Sequence, residues 1–211
     1  EFFGNMVMLL DFSGSMVGQP MDLALAMACF VGPLTRGAFR NKFLTFESRP
    51  RFIDISEGSN ISLKLRICEE SPWGGSTDFV AAHREIIKVL KAQQESGCND
   101  EQIRSMVPKF FLVVSDMQFD EACGKSEQTV HQDLVDMWKT AGMEMFGTPL
   151  TMPTIIYWNA RGDTSGMPVT SSTERSIMVS GYSTAIFKNF IITGIDSLKD
   201  YSPWKNLEAT L

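Results

Sequence analysis

Met6-Val-Met-Leu-Leu10 is an unbroken apolar run that stops at Asp11, after which the chain turns small and polar through Phe12-Ser-Gly-Ser-Met16. A short run without alternation predicts a strand buried on both faces and followed by a loop. From Pro20 to about Thr35 the residues Met21, Leu23, Leu25, Met27, Ala28 and Phe30 crowd the helical wheel. A largely buried helix follows, with Pro20 suited to its first turn. Lys42 to Phe46 and Arg51 to Ile55 are β-rich stretches separated by Glu47-Ser-Arg-Pro50, which predicts a hairpin and so one antiparallel pair. The stretch up to Glu70 shows no clear period. Asp78 to about Ser96 is helical in pattern, with Phe79, Ala82, Ile86, Ile87 and Leu90 on one face and Gly97 as its stop.

The second half repeats the scheme. Phe110-Phe-Leu-Val-Val114 is the strongest strand signal and, like the first, it ends at a carboxylate, Ser115-Asp116. Val130, Leu134, Val135 and Trp138 predict a helix running toward Gly142. Thr154-Ile-Ile-Tyr-Trp158 is a further apolar strand, closed by the polar Asn159-Ala-Arg-Gly-Asp163. Ile177-Met-Val179, the loop Ser180-Gly-Tyr-Ser183 and a helix from Thr184 to Phe190 complete the series. Strands alternating with helices predict an α/β fold of Rossmann-like, doubly wound type: a mainly parallel sheet with one antiparallel edge strand and helices on both faces. No linker or low-complexity segment divides residues 1–211, which read as one domain.

Composition narrows the function classes. With 44% hydrophobic and 21% charged residues the chain can bury a substantial core, and disorder is excluded. The longest charge-free run, Met145 to Ala160, is broken by Pro149 and Pro153 and is shorter than the about 20 apolar residues of a spanning helix, so no membrane segment is expected. A net charge of −6 without a Lys/Arg cluster argues against direct nucleic-acid binding. Four cysteines without a C-x-x-C pair, and only two histidines, argue against zinc. Cys29, Cys68, Cys98 and Cys123 read instead as buried free thiols of an intracellular protein, cytoplasmic or nuclear. Thirteen Met and fifteen Phe fall among Val, Ile and Leu at strand and helix spacing, which assigns them to core packing. The start at Glu1-Phe2-Phe3, without Met and almost directly into a strand, reads as the C-terminal part of a longer protein.

In open α/β sheets, ligands gather outside the carboxyl ends of the strands. The loops expected there supply hard oxygen ligands: Asp11, Ser13 and Ser15 in the pattern D-x-S-x-S, Thr77 in Trp73-Gly-Gly-Ser-Thr77, and Asp116. Two carboxylates and three hydroxyls, with no sulfur or imidazole, suit Mg²⁺ or Mn²⁺ and, less well, Ca²⁺.

Taken together, Asp11-Phe-Ser-Gly-Ser15, Thr77 in its Gly-Gly-Ser-Thr-Asp loop and Ser115-Asp116 at a strand end resemble the metal-ion-dependent adhesion site of von Willebrand factor A domains. Trp73-Gly-Gly-Ser-Thr77, Ser115-Asp-Met-Gln-Phe-Asp120, Tyr157-Trp-Asn159 and Val179-Ser-Gly-Tyr-Ser183 further resemble one subgroup, a domain-of-unknown-function family of plants, fungi and large DNA viruses. The resemblance implies that Ser13, Ser15 and Thr77 approach a cation, with Asp11 and Asp116 bound directly or through water. It also implies a coordination position open to an Asp or Glu of a protein partner, and hence a metal-dependent interaction module rather than an enzyme. Two other functions compete. A Mg²⁺-dependent phosphoester hydrolase could use Asp11 as nucleophile, but the second Asp such chemistry needs is Ser13 here. A scaffold domain of a ribonucleoprotein would leave RNA contacts to another part of the protein.

The remaining candidates read as structural. Asp78 is placed to cap a helix, Asp120 to be a solvated loop acid, and His83 and His131 to be surface or satisfied core histidines. Trp73 and Trp158 adjoin strand-end loops, with core burial preferred to a partner-facing rim. Ser180-Gly-Tyr-Ser183 lacks the G-x-S-x-G turn of a hydrolase, and neither nucleotide-binding glycine fingerprint occurs.

Overall fold

The first apolar run is strand β1 (Met6–Leu10), and in the computed structural model every one of its residues is buried. The structure describes residues 3–71, 78–116, 127–161, 175–181 and 183–194. Five further strands follow: β2 (Lys42–Thr45), β3 (Phe52–Asp54), β4 (Phe110–Ser115), β5 (Thr154–Asn159) and β6 (Ser176–Ser180). They form one sheet in the order β3-β2-β1-β4-β5-β6. All neighbours are parallel except β2 and β3, where Phe43 faces Ile53 across the expected hairpin.

Alternation along the strands divides the apolar residues between two faces. Met6, Met8 and Leu10 of β1, with Leu112 and Val114 of β4 and Ile156 and Trp158 of β5, build one core. Val7, Leu9, Phe111, Val113, Ile155 and Tyr157 build the other. Each face is covered by helices, which is why the strands read as continuous apolar runs. The first core packs α1 (Gln19–Ala26) and α6 (Thr184–Thr193); the second packs α3 (Phe79–Glu95) and α5 (Glu127–Phe146).

Helix boundaries depart from the apolar pattern in three places. The single helix expected to Thr35 is instead α1, a π-helical turn over Met27–Val31 and a 3-10 turn over Gly32–Leu34. Pro33 cannot donate to an α-helical ladder, so the chain tightens and stops there. Phe30, expected inside, is 52% exposed and meets Phe187 edge-on. The unpatterned stretch contains α2 (Ile61–Glu69), whose period-two sequence Ile61-Ser-Leu-Lys-Leu65 hides a helix started by Asn60, which accepts from Leu63 N at 3.0 Å. Helix α4 (Asp100–Met106) rests on a reciprocal cap between Asn99 and Gln102. Finally, Gly142 does not end α5. The helix passes through it to Phe146, and Gly147, at φ 66°, is the stop.

Candidate metal centre

β1 and β4 lie side by side with Leu10 opposite Val114, so the residues just beyond them leave the sheet together. Three ladder bonds continue past the strand ends: Asp11 N donates to Val114 O (3.0 Å), Ala160 N to Ser115 O (2.9 Å) and Gly181 N to Asn159 O (2.8 Å). The loops therefore start from fixed backbone positions. This is the crevice at the carboxyl ends of the strands.

Within the first loop, Ser13 N donates to Asp11 Oδ1 at 2.8 Å, an Asx turn that reverses the chain. Ser13 then leads into a 3-10 turn, Gly14–Met16, closed by Met16 N donating to Ser13 O. Phe12 and Met16 sink into the core, Phe12 edge-on against Phe43. Ser13 and Ser15 stay outside it, their hydroxyl oxygens 2.9 Å apart. Phe12 and Met16 thus anchor the loop in the core, while Ser13, Gly14 and Ser15 lie outside it on a 3-10 turn rather than on an extended, alternating stretch.

Asp11 and Asp116 are both buried, at 2% and 1% exposure. Ser115 Oγ donates to Asp11 Oδ2 at 3.0 Å, linking the two strand ends by a side chain. Burial pushes the Asp11 carboxyl above its usual range, and the nearby Asp116 adds to the push; hydrogen bonds from Ser13 and Ser115 oppose it. Two close carboxylates at the end of a buried sheet invite a cation. Among the described residues no group of three or more His, Cys, Asp or Glu side chains gathers. Any cation here would therefore draw on hydroxyls as well, and the donor set present is all oxygen, which fits a hard divalent ion.

The structure thus brings Asp11, Ser13, Ser15 and Asp116 to one end of the sheet. Thr77, Trp73 and Asp120 lie outside the described residues, as do Cys123 and residues 162–174. Sequence reading passed over Ser115 as a hydroxyl bridging the strands, and over Arg161. Arg161 Nη1 donates to Ser15 O at 3.2 Å, and Arg161 N to Asn159 Oδ1 at 3.1 Å, so the loop after β5 holds the loop after β1. A polar loop directly after an apolar strand was the available signal.

Asp78 Oδ1 accepts from Ala81 N at 2.8 Å as the cap of α3. Trp158 is buried and donates to Gly181 O at 3.1 Å. His83 is fully buried, its Nδ1 accepting from Trp138 Nε1 at 3.0 Å. Cys29 and Cys68 are buried free thiols in contact with each other, and Cys98 is half-buried. No helix among the described residues is long and apolar enough to cross a membrane.

Residues 5–208 match the model of a domain family described as a domain of unknown function, DUF7788. An uncharacterized protein of Acanthamoeba polyphaga mimivirus is 28% identical over 190 residues, which cover 88% of this chain and 30% of that protein. The crystal structure of the Deinococcus radiodurans RO (RSR) protein superposes with a TM-score of 0.59 at 16% identity, over 95% of this chain and 36% of that one. At that identity the likeness is one of fold, and it agrees with the A-type arrangement of the sheet. The chain spans about a third of the length of each of these two proteins.

Proposed function

We propose that this chain, which belongs to the DUF7788 domain family, is a metal-dependent protein-interaction module with an adhesion-type cation site at the carboxyl ends of β1 and β4. The observation that carries the reading is the convergence of buried Asp11 and Asp116 with the paired hydroxyls of Ser13 and Ser15. Asp11, Ser13, Ser15 and Asp116, joined by Thr77 from the sequence pattern, would hold Mg²⁺ or Mn²⁺. When bound, the cation supplies Lewis acidity toward one further oxygen ligand, and an Asp or Glu of a partner protein is the group that satisfies it.

The protein's own residues set the conditions. Burial makes the Asp11 carboxylate costly when ionised, so it favours a cation. The neutral serine hydroxyls add donors without cancelling more of its charge, which preserves attraction for an external carboxylate. Ser115 and Arg161 keep the loops in place. Capture from native extract tests the reading. Recovery of a partner in Mg²⁺, its loss in chelator and its loss with Asp11→Asn are expected; the same proteins recovered in all three conditions overturn it. Asp11→Asn removes a carboxylate whose ionisation burial already opposes, so the variant is expected to fold.

A further inference from the structure

At the opposite end of the sheet, the starts of β4 and β5 and the chain segment after α5 enclose an open groove of about 520 Å³. Six residue steps from Phe110 along β4 at about 3.3 Å each place it roughly 20 Å from Asp116. The floor and walls are apolar and stiff, with Val107, Pro108, Phe110, Leu150, Met152 and Pro153 among them. Three cations line it as well: Arg104, Lys109 and Arg175, all exposed. No Asp or Glu is among the described residues that line it.

The charge here runs against that of the chain, which is −6. Arg104, Lys109 and Arg175 form no ion pair with a described residue. They are nevertheless held by the fold. Arg104 Nη2 donates to Thr148 Oγ1 at 2.6 Å, and its guanidinium lies 4.2 Å from the centroid of the Phe146 ring. The Lys109 backbone donates to Asn5 O and accepts from Thr154 N, both at 2.9 Å. Arg175 sits at φ 56°, the left-handed region that costs a side-chain-bearing residue energy, and its carbonyl accepts from Ile155 N at 2.9 Å. Glycine would occupy that backbone position with less strain, yet an arginine stands there.

We propose that this groove docks an extended peptide segment of a partner protein in which acidic side chains flank an apolar one. Charge complementarity selects the acids, since three cations on pinned backbone meet no carboxylate among the described residues. The apolar floor selects the flanked side chain, because a purely ionic ligand would leave it wet. A nucleic-acid strand fits less well. Stacking needs open aromatic faces, and here Phe110 is half-buried while Arg104 lies over Phe146. The site is separate from the candidate metal centre and does not depend on it.

The test is fluorescence anisotropy of a labelled peptide alternating Glu and Leu, titrated with the intact chain in chelator so that no cation contributes. Saturable, salt-sensitive binding is expected, weakened about tenfold or more by Arg104→Glu combined with Lys109→Glu. Arg175→Gly is expected to weaken it severalfold as well. That substitution relieves the left-handed backbone, so its folding is not in question. Replacing Glu by Gln, or Leu by Ser, in the peptide is expected to abolish saturation. Binding that is absent, is unchanged in the variants, or is tighter for a single-stranded oligonucleotide than for the peptide overturns the proposal.

Discussion

Replacing Gly142 by alanine is expected to lower stability by about 3 kcal/mol, roughly 6 to 12 °C in melting temperature for a chain of this size. Gly142 lies inside α5, and a Cβ there would overlap Leu150 N and stand 2.7 Å from both Pro149 C and Thr148 O. All three are backbone atoms, so no side chain can swing aside. Relief requires the helix to separate from the segment 148–150, which also drags Trp138 and Leu134 off the second core. Gly97→Ala is the comparison: Gly97 sits at φ 92° with nothing within 4 Å of its Cβ, and only the conformational cost of about 1 kcal/mol applies. Chemical denaturation of the two variants decides the matter. Gly142→Ala within about 1 kcal/mol of wild type would show that the contact between α5 and the 148–150 backbone is not as close as described.

Acidification is expected to destabilise the fold through His83. Burial, aided by the nearby His131, pushes the imidazole down to about 3, so it is neutral in the folded state at any moderate pH. Unfolded, it takes a proton near pH 6.5. Its contribution is therefore complete above about pH 6.5 and is lost as pH falls toward 3. Between pH 7.5 and pH 5 the loss comes to about 2 kcal/mol. Asp11 acts in the opposite direction: its raised pKa means protonation favours the folded state, with stability gained as pH falls through that value. The variant His83→Gln isolates the histidine. It keeps an acceptor for Trp138 Nε1 and removes the proton, so urea midpoints at pH 7.5 and pH 5 are expected to lie closer together than in wild type. An unchanged pH dependence would place the acid sensitivity elsewhere.

These two sites mark what sequence could and could not convey. The strands were legible because both faces of the sheet are covered, so β1, β4 and β5 read as unbroken apolar runs. The edge hairpin was legible from its turn. Gly142, by contrast, reads as a helix stop, because local pattern cannot show that another stretch of backbone presses against it. Helix α2 was hidden by its period-two sequence, which a cap at Asn60 and burial of Cys68 override. His83 was legible only as one of two alternatives, since its partner Trp138 is 55 residues away. At the candidate metal centre, the sequence pointed to Asp11, Ser13, Ser15, Thr77 and Asp116 as carboxylates and hydroxyls in strand-end loops, and the four that are described lie at one end of the sheet. Arg161 and Ser115 were not, because their contacts cross between loops that only the parallel order of β1, β4 and β5 brings together.

The central claim, one divalent cation held at the ends of β1 and β4, is tested most directly by anomalous scattering from crystals grown with Mn²⁺. The account predicts a peak within coordination distance of Ser13 Oγ and Ser15 Oγ, with Asp11 and Asp116 bound directly or through a single water, and no peak there in Asp11→Asn. A wild-type peak elsewhere, or none at saturating Mn²⁺, would contradict it.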